Sequence, residues 1–432
     1  MKLNFQLIVL IVFLVCAIFG ILVFSGAIPI GQSQQSGALG TVTLWGTIPS
    51  ASIATALEAF NGANSSFVVK YVQKSADTFD QDLLEALASG TGPDLFFLPD
   101  TLTYHYANKI FTIPYASYPL TTFQSTFADA GNVFMTDNGI LAFPLSIDPL
   151  MMYYNRSILD ANDIVYPPAT WDDFTNLVPT LTKKDNSNTI SQTTVALGQF
   201  SNITNAKDIL ATLFMQEGSP IVQKQTGVYM SMLDSDTGNY NLSSMLKFYT
   251  DFSDPNNNAM YSWNASFPNS TDYFSSGNSA FYFGFGSELQ SLINRNPNED
   301  FFVAPVPQIK GSNFKVTMAH VTGIAVLSSS KNLTTAFTAA SLMATGDFAS
   351  AYATATGTVP ARRDLLAVTP TDAYTPYFYS SALYAKSWQD PSPADTDNIF
   401  SGMINEVLSG SMSVTDAIKD ANAKMSLLLS AH

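Results

Sequence analysis

The sequence predicts a two-lobed α/β protein, each lobe a mostly parallel sheet flanked by helices. Three observations carry this. Strand-like and helix-like patterns alternate from Thr41 to Leu98. The run Leu95 to Leu98 is apolar without interruption, as in a strand buried on both faces. Between Leu141 and Asn155, a polar turn (Ser146-Ile147-Asp148-Pro149) separates two apolar runs. That is how a chain passes from one lobe to another while exposing hydrogen-bonding groups in the crevice.

The N-terminus carries a membrane signal. Lys2 precedes an apolar run from Leu7 to Phe24, 18 residues that span roughly 27 Å as a helix. Ser25-Gly26-Ala27 offers a small-residue cleavage site, so residues 1–27 read as an N-terminal transmembrane helix that anchors the chain, or as a cleaved signal. Cys16 lies inside the run, between Val15 and Ala17, whereas a lipid-bearing cysteine would close it. Residues 28–40, rich in Gln, Ser and Gly, form a flexible linker. In either case the bulk of the chain lies outside the cytoplasm, with Lys2 inside.

Thr41 to Trp45 reads as a strand. Ile53, Leu57 and Phe60 follow at helical spacing, with Asn61-Gly62 as a stop. Phe67 to Val72 is the second strand. Thr78 and Gln81 form a capping box before Phe79, Leu83, Leu84 and Leu87. Gly90 ends that helix, and Leu95 to Leu98 is the third strand. The βαβαβ order gives parallel pairing with helices on the faces. In open α/β sheets ligands bind beyond the carboxyl ends of the strands. Trp45 and Thr47, Ser75, and Asp100 therefore fall on one rim.

Composition narrows the function. The chain is 46% hydrophobic and only 12% charged, enough to bury sizeable cores. A net charge of −15 excludes nucleic acid as a partner, because its binders cluster Lys and Arg. With one cysteine there is no disulfide within the chain, and the three His (His105, His320, His432) lie far apart. Neither metal nor cofactor is expected, and no nucleophile elbow or phosphate loop points to an enzyme.

Several segments together resemble one family. Gly139 to Phe174, Ala86 to Asp100 (ALASGTGPDLFFLPD), Ser276 to Leu292 (SGNSAFYFGFGSELQSL), Asp300 to Gln308 (DFFVAPVPQ) and the closing helix at Ser413 to Leu429 appear in the order found in extracellular solute-binding protein family 1, the maltose-binding-like proteins of ABC importers. The resemblance covers residues 41 to 432 and implies the periplasmic-binding-protein fold, type II-like. It implies lobe one at 41–148 and 304–351, and lobe two at 149–303 and 352–432. It also implies a small-molecule ligand, a carbohydrate held by hinge closure, permease subunits as partners, and a monomer. It places the Asp148 turn, Phe285 and Ser287, and His320 in the ligand cleft. Phe285 stands where many sugar binders carry a Trp. Trp263, in a Ser/Asn/Pro-rich stretch, is a candidate stacking plate for a sugar ring. Tyr154 and Asn155 read as strand and hinge, and the adjacent Arg362 and Arg363 as a solvated surface. The same fold can serve as a membrane-anchored sensor, or carry another solute. A polyamine site needs several cleft acids, whereas an oxyanion site needs helix N-termini and Arg.

Overall fold

The computed structural model describes residues 40–430, apart from 188, 226 and 234–239. The expected membrane segment at 1–27, and the linker up to its last residue, lie outside the described residues. Among the described residues no helix is long and apolar enough to cross a membrane.

The chain opens as β1 (Thr41–Gly46), α1 (Ser50–Ala63), β2 (Val68–Gln73), α2 (Phe79–Ser89), β3 (Leu95–Pro99) and α3 (Asp100–Tyr106). β1 lies between β2 and β3 and runs parallel to both, because each helix returns the chain to the same edge. Helix α1 buries Ile53 and Phe60. It runs through Gly62 rather than stopping there. Asn61 instead fastens the helix to β2, accepting the Val69 N–H (2.8 Å) and donating to the Val69 carbonyl (2.9 Å). Thr78 does not cap α2 with its side chain. Its backbone carbonyl takes the Asp82 N–H (2.8 Å), and Gln81 turns outward to Glu85 (2.8 Å). Gly90 closes α2 at φ +70°, a conformation that favours glycine.

The central element is β4 (Ala142–Asn155), which belongs to both lobes. After it come α4 (Trp171–Leu181), β5 (Ile190–Val195), α5 (Ala206–Gln216), β6 (Ser279–Phe285) and β7 (Phe301–Pro305). Thr170 caps α4 by accepting the Asp173 N–H (3.2 Å), and the helix ends soon after Pro179. Strand β8 (Thr317–Val326) carries the chain back, antiparallel to β4 from Ala319 opposite Pro149 to Ala325 opposite Ala142. It then pairs antiparallel with β3. In the second lobe β6 pairs parallel with β5, while β6 and β7 both run antiparallel to β4. The sheet is therefore mixed, which corrects the mostly parallel sheets expected from sequence. β8 enters the first lobe antiparallel to β3, and β4 enters the second antiparallel to β6 and β7.

Two apolar cores flank this sheet. The first gathers Val42, Leu44, Leu95 to Leu98, Phe143 and Ile324, and the second Trp171, Phe174, Leu210, Phe214, Phe281 and Phe400. Along β4 the side chains alternate, Met151 and Tyr153 entering the first core and Leu150 and Met152 the second. The first core extends along the chain past residue 351. In α6 (Asp347–Thr356) Phe348 packs edge-on against Phe60 of α1, with centroids 5.9 Å apart. Beyond it, β9 (Val359–Pro360) pairs with Ile147 and Ser146 of β4. Phe378 and Ala385 still belong to this core, and Trp388 is the first residue back in the other. This core is not confined to the first lobe, since Tyr282 of β6 and Phe301 and Val303 of β7 also belong to it, and Tyr374 packs on Phe302 with ring centres 5.0 Å apart. Helices α7 (Pro393–Leu408) and α8 (Val414–Ser430) complete the second lobe, α8 capped by Ser413, which accepts the Asp416 N–H (3.2 Å).

Candidate functional site

The polar centre of the molecule forms where β3 ends and β8 passes. Asp100 follows β3 directly and is only 3% exposed. Its carboxylate accepts from the Thr101 N–H (3.0 Å) and from the Ser387 hydroxyl (2.5 Å). His320 Nδ1 lies 3.3 and 3.4 Å from its two oxygens. On the far side, His320 Nε2 stands 3.8 Å from Asp208, near the start of the almost wholly buried α5. One imidazole therefore sits between a carboxylate of the first lobe and a carboxylate of the second.

Register brings in a third acid. Asp148 on β4 is directly opposite His320 on β8, and its Oδ1 accepts the Ser287 N–H (3.0 Å). Phe285, at the end of β6, lays its ring 4.6 Å from the His320 ring. The Tyr153 hydroxyl donates to the Phe285 carbonyl (2.9 Å) and holds that strand end. Burial opposes a charged imidazole, but Asp100, Asp208 and Asp148 outweigh it and raise His320 to about 10. Burial likewise pushes the Asp148 carboxyl up to about 6, against the Ser287 contacts and His320. Asp208 is raised by burial, with His320 and Lys207 opposing.

Beside this group Lys207 Nζ meets Asp390 (3.1 Å), Asp397 (2.6 Å) and the Thr396 hydroxyl (3.1 Å). Burial disfavours its charge, yet Asp390 and Asp397 hold its pKa above the usual lysine value. A cavity of about 240 Å³ is lined by Asp100, Lys207, Asp208, His320, Trp388 and Asp397, among others. A larger one of about 480 Å³ shares Trp388 and is walled by Asn132 and Thr136 from the first lobe and by Ser219 and Tyr229 from the second. The lobes touch across this cleft. Lys224 pairs with Asp137 (2.9 Å), the Tyr104 and Tyr229 rings meet edge-on at 5.1 Å, and the Gln389 amide donates to the Val133 carbonyl. Among the described residues no group of three or more His, Cys, Asp and Glu is placed to hold a metal.

Of the residues singled out by sequence, the structure brings together Asp100, Asp148, Phe285, Ser287 and His320. Trp45, Thr47 and Ser75 stay at the ends of β1 and β2 and do not line the cavity around Asp100. Lys74 Nζ already sits 3.9 Å from the centre of the Trp45 ring. Trp263 is corrected from a stacking plate to a core residue. It is 0% exposed, stacked on Phe267 at 4.6 Å, with its indole N–H donated to Asn202 (3.1 Å). Asn155 is structural, capping the next helix by accepting the Ile158 N–H (2.9 Å). Arg362 and Arg363 pair with Asp364 and Asp129 on the surface (2.5 and 2.6 Å). Sequence reasoning missed Lys207, Asp208, Ser387, Trp388, Asp390 and Asp397. Their only local signal is a Lys-Asp pair opening an otherwise apolar helix, a place where charges ordinarily face solvent.

Solved structures share this fold. The fold matches a cyclo/maltodextrin-binding protein complexed with maltotetraose, at TM-score 0.72 and 16% identity over 91% of this chain and 98% of the other. It matches the cyclic alpha-maltosyl-1,6-maltose binding protein from Arthrobacter globiformis at TM-score 0.75 and 16% identity, over 91% and 99% of the two chains. A third match is the GacH receptor of Streptomyces glaucescens, at TM-score 0.66 and 18% identity over 91% and 99%. At these identities the likeness establishes the fold. No curated protein matches the chain. At the level of sequence, residues 55–378 match the bacterial extracellular solute-binding proteins, three quarters of the chain. The protein belongs to the bacterial extracellular solute-binding protein family.

Proposed function

We propose that this protein is an extracytoplasmic solute-binding protein that captures a carbohydrate between its lobes and delivers it to the permease of an ABC importer. The observation that carries the reading is the shared cavity. Asp100 comes from the first lobe, Lys207, Asp208 and Asp397 from the second, and His320 from a strand that crosses between them. A ligand bridging such groups is fully enclosed only when the lobes close. Its binding then shifts the population toward the closed form that a permease recognises.

A carbohydrate suits these walls. Sugar rings present apolar faces to aromatic side chains and hydroxyls to carboxylates. Trp388 and Phe285 supply the former, and Asp100, Asp148 and Asp208 the latter, with the Ser287 turn holding Asp148. Trp45, Thr47 and Ser75 extend the rim for a longer saccharide. The structural neighbours that hold maltotetraose, mannobiose and acarbose support the same class. The chain works as a monomer on the outer face of the cytoplasmic membrane, tethered by its apolar N-terminal segment, and performs no chemistry on its cargo.

The test is a thermal-shift screen of the full-length chain against mono- and oligosaccharides, amino acids, polyamines and oxyanions. A ligand that binds only the folded state raises the melting temperature. A rise with one sugar class, lost in Asp148→Ala while the fold persists, supports the reading. A rise confined to amino acids or oxyanions removes the carbohydrate.

A further inference from the structure

The larger compartment of the cleft, about 480 Å³, has most of its polar walls already engaged. Asp137 pairs with Lys224 (2.9 Å) and Asp129 with Arg363 (2.6 Å). The Thr136 hydroxyl donates to the Gly139 carbonyl (2.9 Å), and the Ser219 hydroxyl to the Met232 carbonyl (3.0 Å).

Gln389 is the exception. Its amide N–H is donated to the Val133 carbonyl, while its Oε1 is buried in the wall and accepts from no group among the described residues. Five buried side-chain polar atoms lack a hydrogen-bond partner among those residues, and this is the one that lies in the cleft. An acceptor withdrawn from water without a donor is unfavourable, and a ligand hydroxyl relieves it.

The same compartment is shut on one side. The paired strands Val222–Gln225 and Val228–Ser231 of the second lobe meet the first lobe there, through Lys224 on Asp137 and the Tyr229 ring against Tyr104. The Gln389 bond to Val133 is a third tie between the lobes. A saccharide that ran on through this wall would have to break these contacts. Trp388 borders both cavities, so a chain lying over it sets one unit here and the next beside Asp100 and His320.

We infer that this compartment receives the terminal unit of a linear saccharide, with a hydroxyl donated to Gln389 Oε1, so that the protein selects chain ends over cyclic saccharides. The inference rests on the carbohydrate reading and adds to it the form of the cargo.

Calorimetry on the full-length chain compares maltohexaose with α-cyclodextrin, which has the same units and linkage but no ends. Mannotriose and cellotriose cover other linkages. Maltohexaose is expected to bind about tenfold or more tightly than the ring. Gln389→Leu should weaken whichever linear saccharide binds by about tenfold, with melting curves to confirm folding. Tyr229→Ala, which opens the wall, should narrow the gap between linear and cyclic hexamer. The ring bound as tightly as maltohexaose, an unchanged affinity in Gln389→Leu, or an unchanged gap in Tyr229→Ala overturns the inference and leaves the carbohydrate reading standing. Binding of none of these saccharides overturns both.

Discussion

Asp148 and His320 face each other across the antiparallel pair formed by the two strands that pass between the lobes. Opposed residues in such a pair project from the same face, so register alone sets a carboxyl beside an imidazole where the two strands pass between the lobes. Asp148 also takes the Ser287 N–H, which ties this point to the end of β6.

The Asp148→Ala variant removes that tie and leaves the Ser287 N–H without its acceptor. We expect a loss of about 1–2 kcal/mol of stability, as for a hydrogen bond to a carboxylate partly offset by relief of its burial. Solute affinity should fall with it. Urea unfolding with unchanged m value measures the first, and calorimetry the second.

Stability should depend on pH through His320. Its folded-state value of about 10 exceeds the ordinary 6.5, so the folded protein holds a proton that the unfolded chain releases. The contribution is complete below about pH 6.5 and is lost as pH rises toward 10. Because 37% of the side chain remains exposed, solvent screens part of this effect. Asp148, raised to about 6 from 3.8, acts in the same direction at lower pH, its contribution falling between about 4 and 6. Melting temperatures from pH 4 to 10 should decline across both windows, and His320→Gln should flatten the upper one. An unchanged upper slope in that variant refutes the assignment.

Trp263 should matter for folding and not for ligand. It is enclosed by Phe267, Tyr273 and Asn202. Trp263→Ala should cost about 3–5 kcal/mol, as for other large aromatic truncations in cores. The milder Trp263→Phe should keep enough fold to measure affinity, which should stay within twofold of the parent. A large affinity loss there would return Trp263 to the binding site.

The Lys224–Asp137 pair joins the lobes at the rim, and Asp137 is mostly exposed. Exposed pairs contribute at most about 1 kcal/mol. Lys224→Ala should therefore speed ligand release by no more than about fivefold and leave the melting temperature nearly unchanged. Stopped-flow release rates at low and high salt check this, since the difference between variant and parent should fade as salt screens the pair.

Much of the architecture was legible in the sequence because it rests on local pattern. The continuous apolar run at Leu95–Leu98 fixed β3 as a buried strand. Asp100 followed from the rule that ligands gather beyond parallel strand ends. The expected polar turn at Ser146–Pro149 is instead the middle of the unbroken strand β4, with Ser146 and Ile147 buried, although Asp148 does lie where the chain passes between lobes. Pattern stops where pairing between distant segments begins. Whether Trp263 faces a cleft or a core depends on Asn202 and Phe267 packing over it. The mixed sheet depends on the direction in which β4 and β8 enter. Above all, Lys207 and Asp208 read as the polar start of an ordinary helix, and Asp390 and Asp397 as surface acids. Only the tertiary structure buries Asp208 and Asp390, nearly buries Lys207, and gathers them, with the more exposed Asp397, near Asp100 and His320, because electrostatic interaction depends on distance in space and on burial, and neither is written in sequence spacing.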